Sequence, residues 1–324
     1  MKIGKLPNSV LEKIVIEPVN NHSVDREEVL LKPSVGEDCA AVYMGDNICL
    51  LSTDPITGAV EDIGRLAINI NTNDIASSGG EPVGIMVTAL LPAEITEEQI
   101  SKIIEDLYSE AERVNIAILG GHTEITDAVN KPVLSCTVIG KAKKIIPSKG
   151  AKIGDSVIMT KYAAMEGTAI FANDMADKLK NIDKKIIERA KMLSGNLSVI
   201  KEGQIGTSIG AHAMHDVTEG GILGACWEIA DCAGLGIEIY ADKIPVLNET
   251  AIICKELGVD PLRLISSGSM VIVCDNENKM LSELEKAGIK AVVIGKITAK
   301  DKIVVYNGVK RELEEPDVDE LYRV

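Results

Sequence analysis

The sequence has 324 residues, of which 46% are hydrophobic and 26% charged, a mixture that excludes an intrinsically disordered chain. The formal net charge is −15, from 49 acidic and 34 basic residues, which argues against nucleic-acid binding because that binding relies on lysine and arginine. No run of 18 apolar residues occurs, so we expect no membrane-spanning segment.

The seven cysteines indicate a reducing compartment. They form no C-x-x-C pair, their number is odd, and most lie among apolar neighbours, as in ICLLSTD and MVIVCD. Buried free thiols of this kind are typical of cytoplasmic proteins, and the first residues lack the pattern of a secretory signal peptide. We therefore expect a cytoplasmic protein without disulfides.

In the first half of the chain, apolar periodicity and turn residues predict alternating helices and strands. The opening helix, at 8–18, is capped by Asn8 or Ser9 and ended by Pro18. Thr96 caps a long amphipathic helix whose first turn holds two glutamates, where the helix dipole favours acids. The other predicted elements are a helix at 62–78 and strands at 40–44, 48–53, 83–91, 116–119 and 133–139. The strand at 116–119 runs into a Gly-Gly pair.

A turn-rich stretch, PSKGAKIGD at 147–155, is the best candidate for a domain boundary. We therefore predict an N-terminal domain of residues 1–146 and a C-terminal domain of residues 147–324. Strands and helices that alternate without a strict β-α-β rhythm predict an α+β or mixed α/β fold. The predicted elements of the second half are strands at 156–160, 235–240, 269–274, 291–298 and 302–306, helices near 164–178, 184–193, 195–203, 220–233 and 276–287, and a loop, GQIGTSIGAHAMHD, that ends at 216.

Several predicted loops carry acids flanked by small residues. Small residues let a ligand approach the backbone, and carboxylates can hold a hard cation such as Mg²⁺ beside phosphate oxygens. Acids that converge from separate loops therefore suggest a metal–nucleotide site with more than one ion. The loops are Gly36-Glu37-Asp38, Ser52-Thr53-Asp54, Asn73-Asp74, Gly120-Gly121-His122-Thr123-Glu124 and His215-Asp216-Val217-Thr218-Glu219-Gly220-Gly221.

Each of these loops also has a structural explanation. The first two fit a turn or a helix cap, which is the more common reason for such residues. Asp74 is more informative, because it continues the apolar helix face of Ala67 and Ile70, where an acid needs a partner or a ligand. The Gly-Gly pair after Asp216 opens a helix whose N–H groups suit either an anion or a plain cap. The sequence has no P-loop, dinucleotide fingerprint or nucleophile elbow.

Read in order, the loops resemble the AIR synthase superfamily, which includes aminoimidazole ribonucleotide (AIR) synthase, hydrogenase maturation factor HypE, thiamine-monophosphate kinase and selenophosphate synthetase. They span almost the whole chain in the expected order, and the set is specific for the superfamily. The matching segments are VGEDCAAV (35–42), STDPITG (52–58), INTNDIASSGGEP (70–82), GGHTE (120–124), GAKIGD (150–155), EGTAI (166–170), HDVTEGGI (215–222) and SSGSM (266–270).

The resemblance implies a PurM-like fold, in which strands of the N-terminal domain form a barrel across a homodimer and an α/β domain follows. It also implies a cleft for ATP and Mg²⁺. With one Phe and one Trp in the chain, we expect aliphatic packing rather than aromatic stacking around the adenine. By resemblance, the metal ligands are Asp38, Asp54, Asp74 and Glu124, the catalytic residues are Asp54, Asp74 and Asp216, and the nucleotide is contacted by Glu37, Asp38, Ser52, Thr53, Asn73, Gly120, Gly121, Thr123, Gly220 and Gly221.

The opening GKLP-x-x-VLEKIV and the GGHTE and SSGSM loops resemble the HypE branch most. This implies ATP-dependent phosphorylation of a carbonyl or amide oxygen, as in dehydration of a carbamoyl group carried on a C-terminal cysteine. The acceptor would be a small molecule or a group borne by a maturation partner protein. The last cysteine here is Cys274, so either a longer tail carries the thiol or the chain is a paralogue with another substrate.

Three other functions stay open at the level of sequence. VGEDCAAV also resembles thiamine-monophosphate kinase, and the superfamily includes AIR synthase-like ligases. A nucleotide-binding scaffold without turnover would carry the same loops. Selenophosphate synthetase fits least, because no cysteine precedes Cys39. His122 stands where the family commonly has Asp, so Glu124 is the expected ligand of that loop.

Overall fold

The computed structural model describes residues 5–22, 24 and 26–324. Two mixed β-sheets, each packed against helices, confirm the predicted mixed α/β class. The strands are β1 (Val29–Leu31), β2 (Ala40–Met44), β3 (Asn47–Ile56), β4 (Glu81–Leu91), β5 (Ala117–Ile125), β6 (Val133–Ala142), β7 (Ser156–Thr160), β8 (Ala213–Asp216), β9 (Gly236–Tyr240), β10 (Met270–Cys274), β11 (Ala291–Thr298), β12 (Lys302–Tyr306) and β13 (Val309–Glu312). The helices are α1 (Asn8–Leu11), α2 (Glu17–His22), α3 (Ile63–Ser77), α4 (Glu97–Val114), α5 (Met165–Asp174), α6 (Lys184–Lys191), α7 (Ile200–Ile209), α8 (Gly221–Cys232), α9 (Asn248–Leu257) and α10 (Glu277–Lys286).

The N-terminal sheet has the order β1-β2-β3-β6-β4-β5, and only its β4–β5 pair is parallel among the described strands. One face packs under α3 and α4, and alternate residues of β6, such as Leu134 and Val138, are fully buried there. The other face is open, and every residue of the edge strand β5 is exposed. The sheet therefore has one covered face, one open face and one unpaired edge.

Helices α3 and α4 cross closely over the covered face. The predicted cap of α4 is confirmed, since Thr96 and Gln99 form a reciprocal capping box. A Cβ added to Gly64 of α3 would lie 2.5 Å from the carbonyl oxygen of Ile103 in α4, so only glycine allows this approach. Helix α3 is buried over nearly its whole length, including its polar residues, which brings Asp74 into the interior.

The C-terminal sheet has the order β13-β12-β9-β11-β7-β10-β8. All its pairs are antiparallel except β9–β12. Strand β10 is buried throughout and pairs with β8, so that Met270 lies opposite Asp216 at the end of β8. The sheet thereby delivers Asp216 to the side of the molecule that faces α3, which contacts β8.

Three sequence predictions about elements are wrong. The opening helical segment runs past Pro18 to His22, with a π-helical turn at Glu12–Ile16 directly before the helix that contains this proline. The glycines after 116–119 lie inside β5, where they adopt extended, positive-φ conformations. The stretch before 216 is not a loop, since α7 continues to Ile209 and β8 begins at Ala213.

Among the described residues, no helix combines the length and the apolar character needed to cross a bilayer. The cysteines of the structure are free thiols, and all but Cys49 and Cys232 are buried, as predicted. The large core cluster joins the N-terminal sheet to α5, α6 and α9, so the two halves of the chain share apolar packing.

Candidate active-site cleft

A cleft of about 460 Å³ lies between the N-terminal sheet and β8. Its walls come from the loop 34–38, the end of β3, the C-terminal half of α3, the end of β8 and the opening segment of the chain. All four predicted aspartates line it together: Asp38, Asp54, Asp74 and Asp216. The described lining contains no aromatic side chain, and its apolar part is aliphatic, with Leu6, Leu11 and Val35.

Asp74 enters the cleft from the last turn of α3. It is 5% exposed, and the Ser52 hydroxyl donates a short hydrogen bond to its carboxylate. Burial, followed by the nearby carboxylates of Asp216 and Asp54, raises the pKa of Asp74 well above its usual value. Ser52, which sequence analysis predicts as a nucleotide contact, bonds Asp74 in the structure.

Asp216 is the most isolated acid of the cleft. The residue is fully buried, and neither carboxylate oxygen has a hydrogen-bond partner among the residues that the structure describes. Burial and the neighbouring carboxylate of Asp38 raise the pKa of Asp216 to about 7. A buried carboxylate without donors is costly unless a ligand supplies the missing charge, so Asp216 points to a cation.

Asp38 is held by the loop that precedes β2. The Ser77 hydroxyl donates to Asp38 Oδ2 at 2.8 Å, and the Cys232 thiol donates to the carbonyl oxygen of Val35 at 3.0 Å. Gly36 adopts φ +75°, and a Cβ at this residue would collide with the Cys232 sulfur. Glu37 also lines the cleft, and its Oε1 has no hydrogen-bond partner within the described part of the chain.

His215 lies within 4.8 Å of Asp38 and Asp216 in a possible metal-binding group. Its Nδ1 is 2.7 Å from the carbonyl oxygen of Asp216, and its Nε2 is 3.1 Å from Glu228 Oε2. Both ring nitrogens therefore lie close to oxygen atoms. Although burial lowers the pKa of His215, Asp38 and Glu228 outweigh it and raise that pKa to about 10. A protonated His215 balances part of the negative charge of Asp38 and Glu228.

Lys5 supplies the second positive charge of the cleft. Its Nζ donates to Thr218 Oγ1 at 3.3 Å, and its backbone N–H donates to Glu219 Oε2 at 3.2 Å. Removal of the ammonium from water lowers the pKa of Lys5, but the carboxylates of Glu228 and Glu219 hold it above its ordinary value. The opening segment of the chain is thereby tied to the loop after β8.

The donor set of the cleft fits Mg²⁺. Asp38, Asp54, Asp74 and Asp216 offer only carboxylate oxygens, which are the ligands that Mg²⁺ takes together with phosphate oxygens and water. A bound cation would give the unpartnered oxygens of Asp216 a partner, and it would offset the repulsion between carboxylates that helps to raise the pKa of Asp74.

Several predicted nucleotide contacts lie outside the cleft. Thr53 is on the open face of the sheet, where its hydroxyl donates to the Cys136 carbonyl at 2.8 Å. Asn73 is fully buried and bonds the backbone of Leu197 and Val199. Its side chain therefore ties α3 to the segment before α7.

The Gly-Gly pair at the start of α8 has a structural use. The Gly220 N–H donates to Asp319 Oδ2 at 2.7 Å, so this donor is already satisfied within the chain. A Cβ at Gly221 would lie 2.6 Å from the Leu262 carbonyl oxygen. Both glycines thus serve the packing of α8, and neither lines the cleft in the structure.

The GGHTE loop is also separate from the cleft of its own chain. Asp54 registers with Cys136 on β6, Cys136 with Val87 on β4, and Val87 with Gly121 on β5. Three strand spacings therefore separate Asp54 from Gly121, each about 4.8 Å. Gly120, Gly121, Thr123 and Glu124 all lie on the exposed edge strand.

Sequence analysis missed three residues that shape the cleft. Glu228 is buried in α8 among apolar neighbours, and an acid on the buried face of an apolar helix was a usable signal. His215 stands directly before a predicted ligand. Lys5 had no signal, because its contacts with Thr218 and Glu219 join residues more than 200 positions apart.

Two family models match the chain, namely the N-terminal domain of AIR synthase related proteins over residues 36–142 and the C-terminal domain over residues 152–307. The chain belongs to the AIR synthase related family. The acid cleft of this family member is formed by residues from both matched regions, Asp38, Asp54 and Asp74 from the first and Asp216 from the second.

Curated relatives are similar over most of their length. The chain is 29% identical over 302 residues to a putative hydrogenase expression/formation protein of Methanocaldococcus jannaschii, with 89% of this chain and 88% of the relative covered. It is 24% identical over 330 residues to the carbamoyl dehydratase HypE of Escherichia coli, with 99% of this chain and 95% of the relative covered. Selenide, water dikinases and thiamine-monophosphate kinases match as well.

Solved structures share the fold. The chain matches a ThiL protein complexed with AMPPCP and TMP at a TM-score of 0.77 and 18% identity, with 99% of both chains covered. It matches a structure of a HypE-HypF complex at a TM-score of 0.75 and 22% identity, with 94% of this chain and 100% of the other chain covered. A HypE structure in complex with ATP matches at a TM-score of 0.69 and 16% identity, with 99% of this chain and 98% of the other chain covered. These matches confirm the two-part PurM-like fold.

Proposed function

We propose that the protein is an ATP- and Mg²⁺-dependent enzyme that activates a carbonyl or amide oxygen by phosphorylation, in the manner of HypE. The observation that carries this proposal is the buried Asp216 carboxylate, which lacks a partner among the described residues and lies beside Asp38. The similarity of the chain to a carbamoyl dehydratase, and to a HypE structure in complex with ATP, supports the same reaction class.

In the proposed reaction, the carbonyl oxygen of a carboxamide attacks the γ-phosphorus of ATP. The bond from that phosphorus to the bridging oxygen breaks, ADP leaves, and the amide nitrogen loses one proton. The C–O bond of the phosphorylated intermediate then breaks, the nitrogen loses its second proton, and a nitrile and inorganic phosphate result. Phosphorylation is needed because it converts a poor leaving oxygen into a good one.

The chain's own residues would position this chemistry. Asp38, Asp54, Asp74 and Asp216 would hold Mg²⁺, which neutralises charge on the transferred phosphoryl group. These acids repel one another, and His215 compensates only part of their charge. A cation bound among them would therefore be stabilised. Lys5 adds a donor for phosphate oxygens at the opposite wall.

We propose further that the protein is a homodimer that pairs through β5. An unpaired edge strand offers its N–H and C=O groups to another strand, and the edge and its neighbour β4 expose large apolar side chains. These are Val83, Met86, Ile118, Leu119 and Ile125, each between 43% and 53% exposed. Pairing there would enclose the open sheet face and place His122 and Glu124 inside the assembly.

A cytoplasmic location and a maturation partner complete the proposal. The free thiols of the described residues suit a reducing compartment. A protein of the same fold has been solved as a HypE-HypF complex, which supports a partner protein that presents the acceptor group.

Product identification by ³¹P NMR tests the proposal. The protein is incubated with ATP, MgCl₂ and either S-carbamoylcysteine or thiamine monophosphate. We expect ADP and inorganic phosphate with the carboxamide, and no thiamine diphosphate with thiamine monophosphate. Formation of thiamine diphosphate would instead assign the kinase reaction, which the full-length match to the ThiL fold makes the second candidate. Tight ATP binding without any product would assign a scaffold.

A further inference from the structure

A second cavity, of about 310 Å³, adjoins the acid cleft. It lies between the opening segment of the chain and the segment 316–318, and it shares Lys5, Leu6, Asn8 and Glu228 with the cleft. Its volume is at the lower end of the range for small-molecule pockets. The two chambers therefore meet at the Lys5 side chain.

The wall formed by 316–318 is firmly anchored. Asp319, which is 2% exposed, accepts the backbone N–H groups of Gly220, Ile265 and Leu321. A Cβ at Gly220 would lie 3.0 Å from Pro316 Cβ, so this wall packs tightly on the start of α8. The cavity is thus bounded by the same loop that carries Asp216.

The polar groups of this cavity include both donors and acceptors. Asn8 Nδ2 is buried and has no hydrogen-bond partner in the part of the chain that the structure describes. A buried amide donor without an acceptor is costly, so this group points to a ligand oxygen. Across the cavity, Glu228 offers a carboxylate, whereas both carboxylate oxygens of Glu219 already accept hydrogen bonds from Lys5 and Tyr322. Leu6 and Val318 supply apolar surface.

We propose that this cavity is the acceptor subsite and that it takes a primary carboxamide on a short aliphatic or thioether stem. The carbonyl oxygen accepts from Asn8 Nδ2, the amide NH₂ donates to Glu228, and the stem lies against Leu6 and Val318. The shared Lys5 then brings the carbonyl oxygen to the boundary with the acid cleft. This inference rests on the proposed phosphorylation of a carboxamide and names where that acceptor binds.

Filling the cavity tests the inference. The full-length Val318→Trp variant is compared with wild type in ADP release with ATP, MgCl₂ and S-carbamoylcysteine. We expect KM for S-carbamoylcysteine to rise by about tenfold or more, because the indole occupies the stem position. The ATP dissociation constant, measured by calorimetry without acceptor, should stay within about threefold, since Val318 lies outside the acid cleft. Val309→Trp, the same substitution on the exposed strand β13, is the matched control.

A second variant keeps the inference testable if the tryptophan disturbs folding. Asn8→Asp preserves the shape of the side chain but replaces the NH₂ donor with an oxygen, and we expect KM for the carboxamide to rise by about tenfold. Wild-type KM values in both variants would overturn the assignment of this cavity as the acceptor subsite. They would not contradict the assignment of the acid cleft to ATP. A wild-type protein that binds Mg·ATP but releases no ADP with S-carbamoylcysteine would overturn the carboxamide assignment. A wild-type protein that binds no ATP would instead contradict the proposed function itself.

Discussion

The acid cleft and the edge strand β5 carry similar sequence, glycines beside acids, yet the structure gives them opposite surroundings. Asp216 is fully buried without a partner among the described residues, whereas Glu124 lies on a strand whose residues are all exposed. In the cleft, the carboxylates are crowded, which supports the proposed cation. On β5, the unpaired edge and the exposed apolar side chains support the proposed pairing with another strand. Acid-and-glycine loops therefore indicate a ligand only where burial makes the charge costly.

The largest effect is expected for Asp216→Asn, which removes an unpartnered carboxylate while preserving its shape. ATP turnover should fall by about 100-fold or more, as is common when a metal site loses a ligand or its support. The metal-free variant should nevertheless be more stable than wild type at pH 8, by about 1 kcal/mol or more, because a repelled buried charge is gone. ADP release and urea denaturation measure the two quantities. Equal losses in activity and stability would mean that Asp216 is structural.

The edge strand is tested by Ile118→Lys, which places a charge in the proposed dimer contact. We expect light scattering to show a monomer, since charged residues on an edge oppose strand pairing. ATP turnover should fall by about tenfold if pairing completes the site. Lys131→Glu, a change of charge in the loop before β6, is the control and should leave the mass unchanged. A dimer that persists in Ile118→Lys would place the interface elsewhere.

The pH dependence of stability separates the two regions further. Burial and Asp38 raise the pKa of Asp216 to about 7, above the value of an unfolded carboxyl. The folded protein therefore holds a proton that the unfolded chain releases, and this stabilisation is lost as pH rises through 7. The melting temperature of the metal-free protein should fall between pH 5.5 and 8, and Mg²⁺ with ATP should restore it at pH 8. The melting temperature of Asp216→Asn should fall less over the same pH range. A fall equal to that of the wild type would mean that other groups cause the pH dependence.

The smallest effect is expected for Thr96→Ala, which removes the capping box of α4 far from the cleft. Unfolding free energy should drop by about 1 kcal/mol, the usual cost of a lost N-cap. The ATP dissociation constant should be unchanged, so this variant calibrates how much general destabilisation affects the other measurements. A change in ATP affinity would show that the sheet and the cleft are mechanically coupled.

Sequence alone predicted the elements with clear periodicity and chemistry. Helix α4 is capped where its pattern indicated, and Asp38, Asp54, Asp74 and Asp216 line one cleft, while their role as ligands stays a prediction. Asp74 was the strongest local signal, because an acid on an apolar helix face requires compensation.

Other features depended on tertiary contacts. The Gly-Gly pair before α8 is compatible with anion binding, and only the hydrogen bond from Gly220 to Asp319 shows that its donor is used internally. Pro18 reads as a helix end, but a π-helical turn carries the chain past it. Thr53 and Asp54 are neighbours in sequence, yet strand alternation sends them to opposite faces of the sheet.

Calorimetric titration of ATP into the wild-type protein and into Asp74→Asn, each with MgCl₂ and with EDTA, tests most directly whether the buried acids form a metal–nucleotide site. We predict that the wild type binds ATP with Mg²⁺ and loses this binding in EDTA, and that Asp74→Asn weakens Mg·ATP binding by about 100-fold. ATP that binds equally well in EDTA, or an Asp74→Asn variant with wild-type affinity, would contradict the assignment of the cleft.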